Sequence, residues 1–270
     1  MSTILATSRV ADYQFVRHLG ALGRGQYYLA RRPSRLPIDD ELVVVKVLSG
    51  STTNETFEAA TRELRAFASV SSPHLVRLFD AGQEGSTFYY AMQYLPLGSL
   101  AAPARPLARN EVLMAVADAA RATHALHEAG IAHCDIKPAN IMVDESGGCL
   151  ADLGLAQVVN PGQTLSGMAD VASIEFIDPN LMMGGQPGRA TDIWSLGATL
   201  HRVLTGAGVY GELESGDPLL ALRKVLSSAP VFADGLDDDP RRLITTCLDP
   251  DPTKRPQTAD EVARTIDGWT

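Results

Sequence analysis

Cysteine is scarce in this chain, with three in 270 residues. Cys134, Cys149 and Cys247 are an odd set in a chain too long to need stapling, which argues against a disulfide scaffold and suits a reducing compartment. A cytoplasmic location is therefore expected. Positive charge is also short: 23 basic against 32 acidic side chains leave a formal net charge of -9. No global field exists to hold nucleic acid or an anionic membrane, so a phosphate-bearing ligand needs locally placed cations. Long apolar runs are missing too. Residues 1–10 lack a basic region followed by an apolar stretch, and the most apolar segment, Leu42 to Leu48, is broken by Lys46. Neither a signal peptide nor a membrane span is expected. Internal repeats and low-complexity tracts are absent. What is present, 45% apolar and 20% charged residues, is the composition of a globular protein with a full-sized core.

Periodicity divides the chain into a strand-rich first third and a helical remainder, joined by the Pro, Gly and Ala-rich segment Pro96 to Pro106. Tyr13 to Leu19, Tyr27 to Arg31, Leu42 to Leu48, Leu75 to Leu78 and Phe88 to Tyr94 read as strands of an antiparallel sheet. One helix interrupts them, with Phe57, Ala60, Leu64 and Phe67 on its apolar face and Thr53 or Asn54 as its cap. Beyond the joint, Asn110 is the expected N-cap of a helix carrying Val112, Leu113, Val116, Ala119, Ala122 and Leu126, stopped by Gly130. Short strands flank Ile141 to Val143 and Leu150. Thr191 to Leu204 is apolar nearly all round, as a buried central helix is. Asp237, Asp238 and Asp239 read as a solvated loop, and Val262 to Trp269 as a terminal helix.

Three groups of residues carry chemistry. Gly20, Gly23 and Gly25 lie at the junction of two strands, where backbone N–H groups can approach phosphate oxygens. A plain hairpin turn has the same composition. Lys46 places one cation in an apolar strand, where an unpaired ammonium is costly. Glu63 on the following helix could pair with it and leave it within reach of a nucleotide phosphate, although a purely structural salt bridge would look the same. The third group is His133-Cys134-Asp135-Ile136-Lys137-Pro138-Ala139-Asn140, followed by Asp152-Leu153-Gly154. Asp135 can orient an attacking hydroxyl, Lys137 can neutralise a transferring phosphoryl group, and Asn140 with Asp152 can hold magnesium through oxygen. Turn formation explains each residue singly but not their order.

Taken in order, these motifs resemble the protein kinase family, of the serine/threonine type common in bacteria, over residues 13 to 268. Asp192 in Asp192-Ile193-Trp194 and Arg255 in Lys254-Arg255-Pro256 complete the set. The resemblance implies an α+β, bilobal fold in one domain over residues 1–270. Its parts are a small antiparallel β lobe with one helix (13–94), a hinge and linker (95–106) and a larger, mainly helical lobe (107–269), with ATP between the lobes. It implies transfer of the γ-phosphoryl group of ATP to Ser or Thr hydroxyls of protein substrates, the chain itself among them, with magnesium as cofactor and manganese able to substitute. By the same resemblance Gly20, Leu22, Gly23, Gly25, Tyr27, Val44, Lys46, Met92, Gln93, Leu95 and Met142 bind ATP. Met92 is the gatekeeper and Gln93 to Leu95 the hinge. Ser173 matches a threonine near the acceptor site, and Thr164 and Ser166 are candidate autophosphorylation sites.

The sequence also departs from the family pattern. Leu22 stands at the second glycine position, Tyr27 replaces the valine over the adenine, and Val44 replaces an alanine. Cys134 replaces the arginine that pairs with an activation-segment phosphate, a bidentate contact no thiol makes. Asn180, in Asp178-Pro179-Asn180, replaces the carboxylate expected to pair with Arg255 and leaves a neutral amide there. These departures keep two other classes open: a pseudokinase that binds nucleotide or partners, and a kinase of small molecules.

Overall fold

The computed structural model describes residues 9–22, 25–48, 54–152, 171–213 and 217–270. The expected site residues Gly23, Thr164 and Ser166 lie outside the described residues, as does the side chain of Leu22. The chain forms two compact units. One takes in the described residues up to Ala68 with Val76–Tyr94, the other Ser69–Leu75 and the described residues from Leu95 to Thr270.

The first unit is an antiparallel sheet of β1 (Arg9–Val10), β2 (Tyr13–Leu22), β3 (Gly25–Arg31), β4 (Leu42–Leu48), β5 (Leu78–Glu84) and β6 (Thr87–Gln93), in the order β1-β2-β3-β4-β6-β5. Helix α1 (Asn54–Ala68) interrupts the strands. Strand pleating sorts β4 into two faces. Val43 and Val45 join Val10, Tyr13, Ala30, Leu36, Tyr89 and Ala91 in one buried cluster. Val44 and Lys46 point the other way, opposite Leu29 and Tyr27 of β3 and Met92 and Tyr90 of β6. Helix α1 buries Ala60, Leu64 and Phe67, and its Phe57 meets Phe88 of β6 edge-on at 5.5 Å. The strand expected over Leu75 to Leu78 instead begins at Leu78 and runs to Glu84. This strand is at the sheet edge, paired on one side only, where its Asp80 accepts from the Tyr13 hydroxyl at 2.7 Å and pairs with Arg35 at 2.6 Å.

The second unit is mainly helical. A small sheet, ordered β10-β9-β7-β8, joins β7 (Gly98–Ser99), β8 (Ala102–Pro103), β9 (Ile141–Asp144) and β10 (Gly147–Leu150). The helices are α2 (Arg109–Glu128), α3 (Val171–Ile174), α4 (Pro179–Met182), α5 (Arg189–Thr205), α6 (Pro218–Ser227), α7 (Asp238–Cys247) and α8 (Ala259–Asp267). The apolar stripe of α2 is buried except for Val112, which is half-buried in the first turn, and the helix stops at Gly130, whose φ of 77° is left-handed. It starts one turn-fraction earlier than expected: Ala108, not Asn110, is the cap, because the Glu111 carboxylate reaches back to the Ala108 N–H at 2.7 Å. Asp237 to Asp239 are solvated as expected, but only Asp237 lies outside a helix. Asp238 and Asp239 open α7, where acidic side chains meet the positive end of the helix dipole, and Asp237 pairs with Arg109 at 2.8 Å. Helix α8 likewise begins at Ala259, capped by Thr258, ahead of the expected Val262. Residues Thr191 to His201 of α5 are buried without a break, as a helix apolar on all sides must be. Among the described residues, no helix is long and apolar enough to cross a membrane.

Candidate active site

In the first unit, strand register gathers five of the residues expected to bind nucleotide. Gly25 and Tyr27 on β3, Val44 and Lys46 on β4 and Met92 on β6 share one face of the sheet. Gly20 sits on β2 opposite Tyr27, so the glycine-rich segment is a hairpin closing at Leu22 and Gly25. The Gln93 N–H donates to the Arg77 carbonyl at 2.9 Å and Leu95 is buried. Met142 lies in the second unit, on β9 opposite Cys149 and Ser99. The expected Lys46–Glu63 ion pair is not formed. Glu63 is exposed on α1, and its carboxyl is raised above the ordinary range by desolvation alone, with no cation contributing. The Lys46 ammonium lies over two tyrosine rings, Tyr27 at 4.9 Å and Tyr90 at 5.6 Å from the ring centres.

In the second unit, residues 133–140 fold so that one lysine and one amide grip one carboxylate. Lys137 Nζ donates to both oxygens of Asp135, at 2.8 and 3.0 Å, and to Ser173 Oγ at 3.1 Å. Asn140 Nδ2 donates to the Asp135 carbonyl at 2.7 Å and to its Oδ2 at 2.8 Å. The Lys137 side chain is 9% exposed and that of Asp135 33%, so the carboxylate is held from behind while an edge stays open to an incoming hydroxyl. Ser173 is thereby brought to Asp135 across 36 residues of chain from Lys137.

Two strained residues frame this loop. Cys134 and Asp152 have φ of 63° and 55°, left-handed values costly for side chains with a Cβ. Asp192, fully buried on α5, offsets the first. Its Oδ1 accepts the Cys134 N–H and its Oδ2 the His133 N–H, both at 2.8 Å, and Oδ2 also accepts from His127 Nε2 at 2.8 Å. Asp192 is expected from the family resemblance, whereas His127 shows in the sequence only as one polar residue near the end of an apolar helix.

His133 and His201 are locked neutral. His133 Nε2 donates to the Ala151 carbonyl at 3.1 Å, which leaves Nδ1 to accept the Asp135 N–H at 3.3 Å. His201 Nδ1 donates to the Ala207 carbonyl at 2.9 Å, and Nε2 accepts the Ala233 N–H at 3.0 Å. Burial pushes both imidazoles below their ordinary value of 6.5. Their folded pKa values are depressed, so the stability they contribute is present above 6.5 and is lost as pH falls from there through the folded values. Each group contributes up to about 1.4 kcal/mol per pH unit across that window. Urea unfolding at pH 7.5 and 5.5 is expected to show lower stability at 5.5, and His201→Gln to flatten the difference.

The amide expected opposite Arg255 is not its partner. Asp178, two residues earlier, supplies the carboxylate: Arg255 Nη1 donates to Asp178 Oδ2 at 2.5 Å and Nη2 to Oδ1 at 3.3 Å, with both side chains 0% exposed. Asn180 serves the local turn, its backbone N–H and Nδ2 donating to Asp178 Oδ1 at 2.9 and 3.1 Å. The remaining Arg255 donors are used as well, Nε on the Asp249 carbonyl and Nη1 on Ala190, while Trp194 lies 5.0 Å under the guanidinium. A second pair, Arg202 with the buried Glu175, holds the segment that carries Ser173 to α5 through bonds of 2.7 and 3.0 Å.

The residues expected to take magnesium fit a hard cation. Asn140 spends its amide nitrogen on Asp135, and its Oδ1 is buried with no hydrogen-bond partner. An unsatisfied buried oxygen is costly, and a cation would satisfy it. Asp152 follows Ala151, whose N–H donates to the Asn140 carbonyl at 2.8 Å. Two protein oxygens, with water and substrate phosphates supplying the rest, is how magnesium is commonly bound.

Comparison with known proteins shows the family. The model of the protein kinase domain matches residues 13–265, so the chain belongs to the protein kinase family. Among curated relatives, it is 30% identical over 97% of its length to a probable serine/threonine-protein kinase PkwA of Thermomonospora curvata, covering 35% of that protein. It is 33% identical to the serine/threonine-protein kinase PknK of Mycobacterium bovis over 95% of this chain and 23% of that one. It is also 27% identical to the serine/threonine-protein kinase PrkC of Bacillus subtilis over 94% of this chain and 40% of that one. The chain thus spans well under half the length of these relatives.

Proposed function

We propose that the chain transfers the γ-phosphoryl group of ATP to serine or threonine hydroxyls of proteins, the chain itself among them. The observation that carries this reading is the Asp135 carboxylate, gripped by Lys137 and Asn140 with one edge open. The acceptor hydroxyl donates to that edge and is oriented for attack. Its oxygen forms a bond to the γ-phosphorus as the bond to the β,γ-bridging oxygen breaks. ADP leaves, and the hydroxyl proton passes to Asp135 and then to solvent. Lys137 offsets negative charge on the transferring group. Magnesium, when bound, neutralises charge on the phosphates, and Asn140 Oδ1 with Asp152 would hold it. Lys46, with the sheet face around Tyr27, Val44 and Met92, binds the nucleotide, and Gln93 and Leu95 its purine edge. The cytoplasmic location belongs to the same proposal and rests on the three free cysteines.

Incubating the purified chain with γ-labelled ATP, magnesium and a generic protein acceptor tests the reading. Label recovered as phosphoserine or phosphothreonine on the chain or the acceptor is expected. A folded chain that binds ATP but transfers nothing is a nucleotide-binding scaffold instead. Label found only on added small alcohols indicates a small-molecule kinase.

A further inference from the structure

One stripe of α5 holds two segments that meet at Asp135. Asp192, Ser195 and Arg202 recur along the helix at three- and seven-residue spacing, which places them on the same side. Asp192 accepts the His133 and Cys134 N–H groups and so fixes the loop of Asp135. Ser195 Oγ donates to the Phe176 carbonyl at 2.7 Å. Arg202 grips the Glu175 carboxylate, with Nη2 on both oxygens at 2.7 Å and Nε on Oε1 at 3.0 Å. The Phe176 N–H donates to the Ser173 carbonyl at 3.1 Å and the Ile177 N–H to that of Ile174 at 3.2 Å, so Ser173 and Glu175 ride on one hydrogen-bonded turn. At the other side of that turn, Ser173 Oγ accepts from Lys137 Nζ at 3.1 Å.

The Glu175 side chain is 6% exposed, and a buried carboxylate is held where its cation is. A close approach of backbone makes the fit tight. A Cβ at Gly208 would lie 2.1 Å from Glu175 Oε2 and 2.8 Å from Arg202 Nη2. The φ of Gly208 is not left-handed, so the pair, and not the backbone, calls for glycine there.

We propose that Glu175 and Arg202 are positioning residues for the acceptor side of the reaction, acting through the 173–177 turn to keep Ser173 on Lys137 beside Asp135. The proposal rests on Asp135 as the group that orients the acceptor hydroxyl. A displaced turn leaves Lys137 without its third oxygen and loosens its hold on that carboxylate, while the nucleotide-binding face of the first unit is untouched.

Gly208→Ala tests this without removing either charge, because the added methyl must push the carboxylate aside. Its kcat/KM for a protein acceptor is expected to fall about tenfold or more, with KM for ATP within about threefold of wild type. Arg202→Met is expected to lose at least as much and Arg202→Lys less, with rates read well below each variant's Tm. Backbone exchange at Phe176 and Ile177 is expected to quicken in Gly208→Ala while that at Ala151 is unchanged. Full acceptor turnover in Gly208→Ala would overturn the proposal. So would an equal rise in KM for ATP, or equal losses in folded Arg202→Met and Arg202→Lys. If the wild type transfers no phosphate, the proposed function fails, and exchange at Phe176 and Ile177 still decides whether the pair holds the turn.

Discussion

Asparagine in place of Asp135 is expected to slow phosphoryl transfer by about 10²–10⁴-fold, the range that a positioned acid–base group contributes. The amide is isosteric but cannot take the hydroxyl proton, and it presents Lys137 with one acceptor oxygen where there were two, at 2.8 and 3.0 Å. The lost interaction belongs to the reacting hydroxyl rather than to bound ATP. The decrease should therefore fall on kcat, with ATP affinity within about threefold of wild type. Initial rates across ATP and acceptor concentrations check this, with a nucleotide-binding titration alongside. Turnover undiminished in Asp135→Asn would remove Asp135 from the mechanism.

The second large effect is on stability. Asp178→Asn leaves a fully buried guanidinium facing a neutral amide, and breaking one side of a buried pair costs about 3–5 kcal/mol. For a chain of this size the expected fall in Tm is on the order of 10 °C. Asn180→Ala removes only a turn contact that also reaches solvent, and about 1 kcal/mol is expected. Thermal and urea unfolding of both variants read the order directly. A larger loss in Asn180→Ala than in Asp178→Asn would return the role of Arg255 partner to residue 180.

What could be read in the sequence followed from local periodicity and motif order. The alternation of Val43, Val44, Val45 and Lys46 sets which side chains share a face, and the run from His133 to Asn140 closes on itself through bonds spanning five residues or fewer. Contacts that depend on where one element lies against another were not legible. Tyr90 meets Lys46 through strand register, a property of the paired strands rather than of either one. The Lys46–Glu63 pair presumed a placement of α1 that its packing through Ala60, Leu64 and Phe67 does not produce. Asp178 was passed over because position 180 was expected to carry the charge, yet a carboxylate two residues away spans the same distance with Asn180 turned to cap it. Beyond Leu78 and Phe79 this strand was not legible because Asp80, Ala81, Gly82 and Glu84 are poor strand formers, and at the sheet edge Asp80 is satisfied by Tyr13 and Arg35. The triplet Asp237 to Asp239, solvated as expected, hid a helix start: like charges repel in a coil but are favoured at a helix N-terminus.

Magnesium binding to the chain saturated with a nonhydrolysable ATP analogue, measured by calorimetry in wild type and Asn140→Ala, probes the site most directly. Uptake by the wild type is expected, with affinity lower by about tenfold or more once the unpartnered Oδ1 is gone. Equal affinities in the two proteins, or no uptake by the wild type, would contradict the assignment of these residues to metal-assisted phosphoryl transfer.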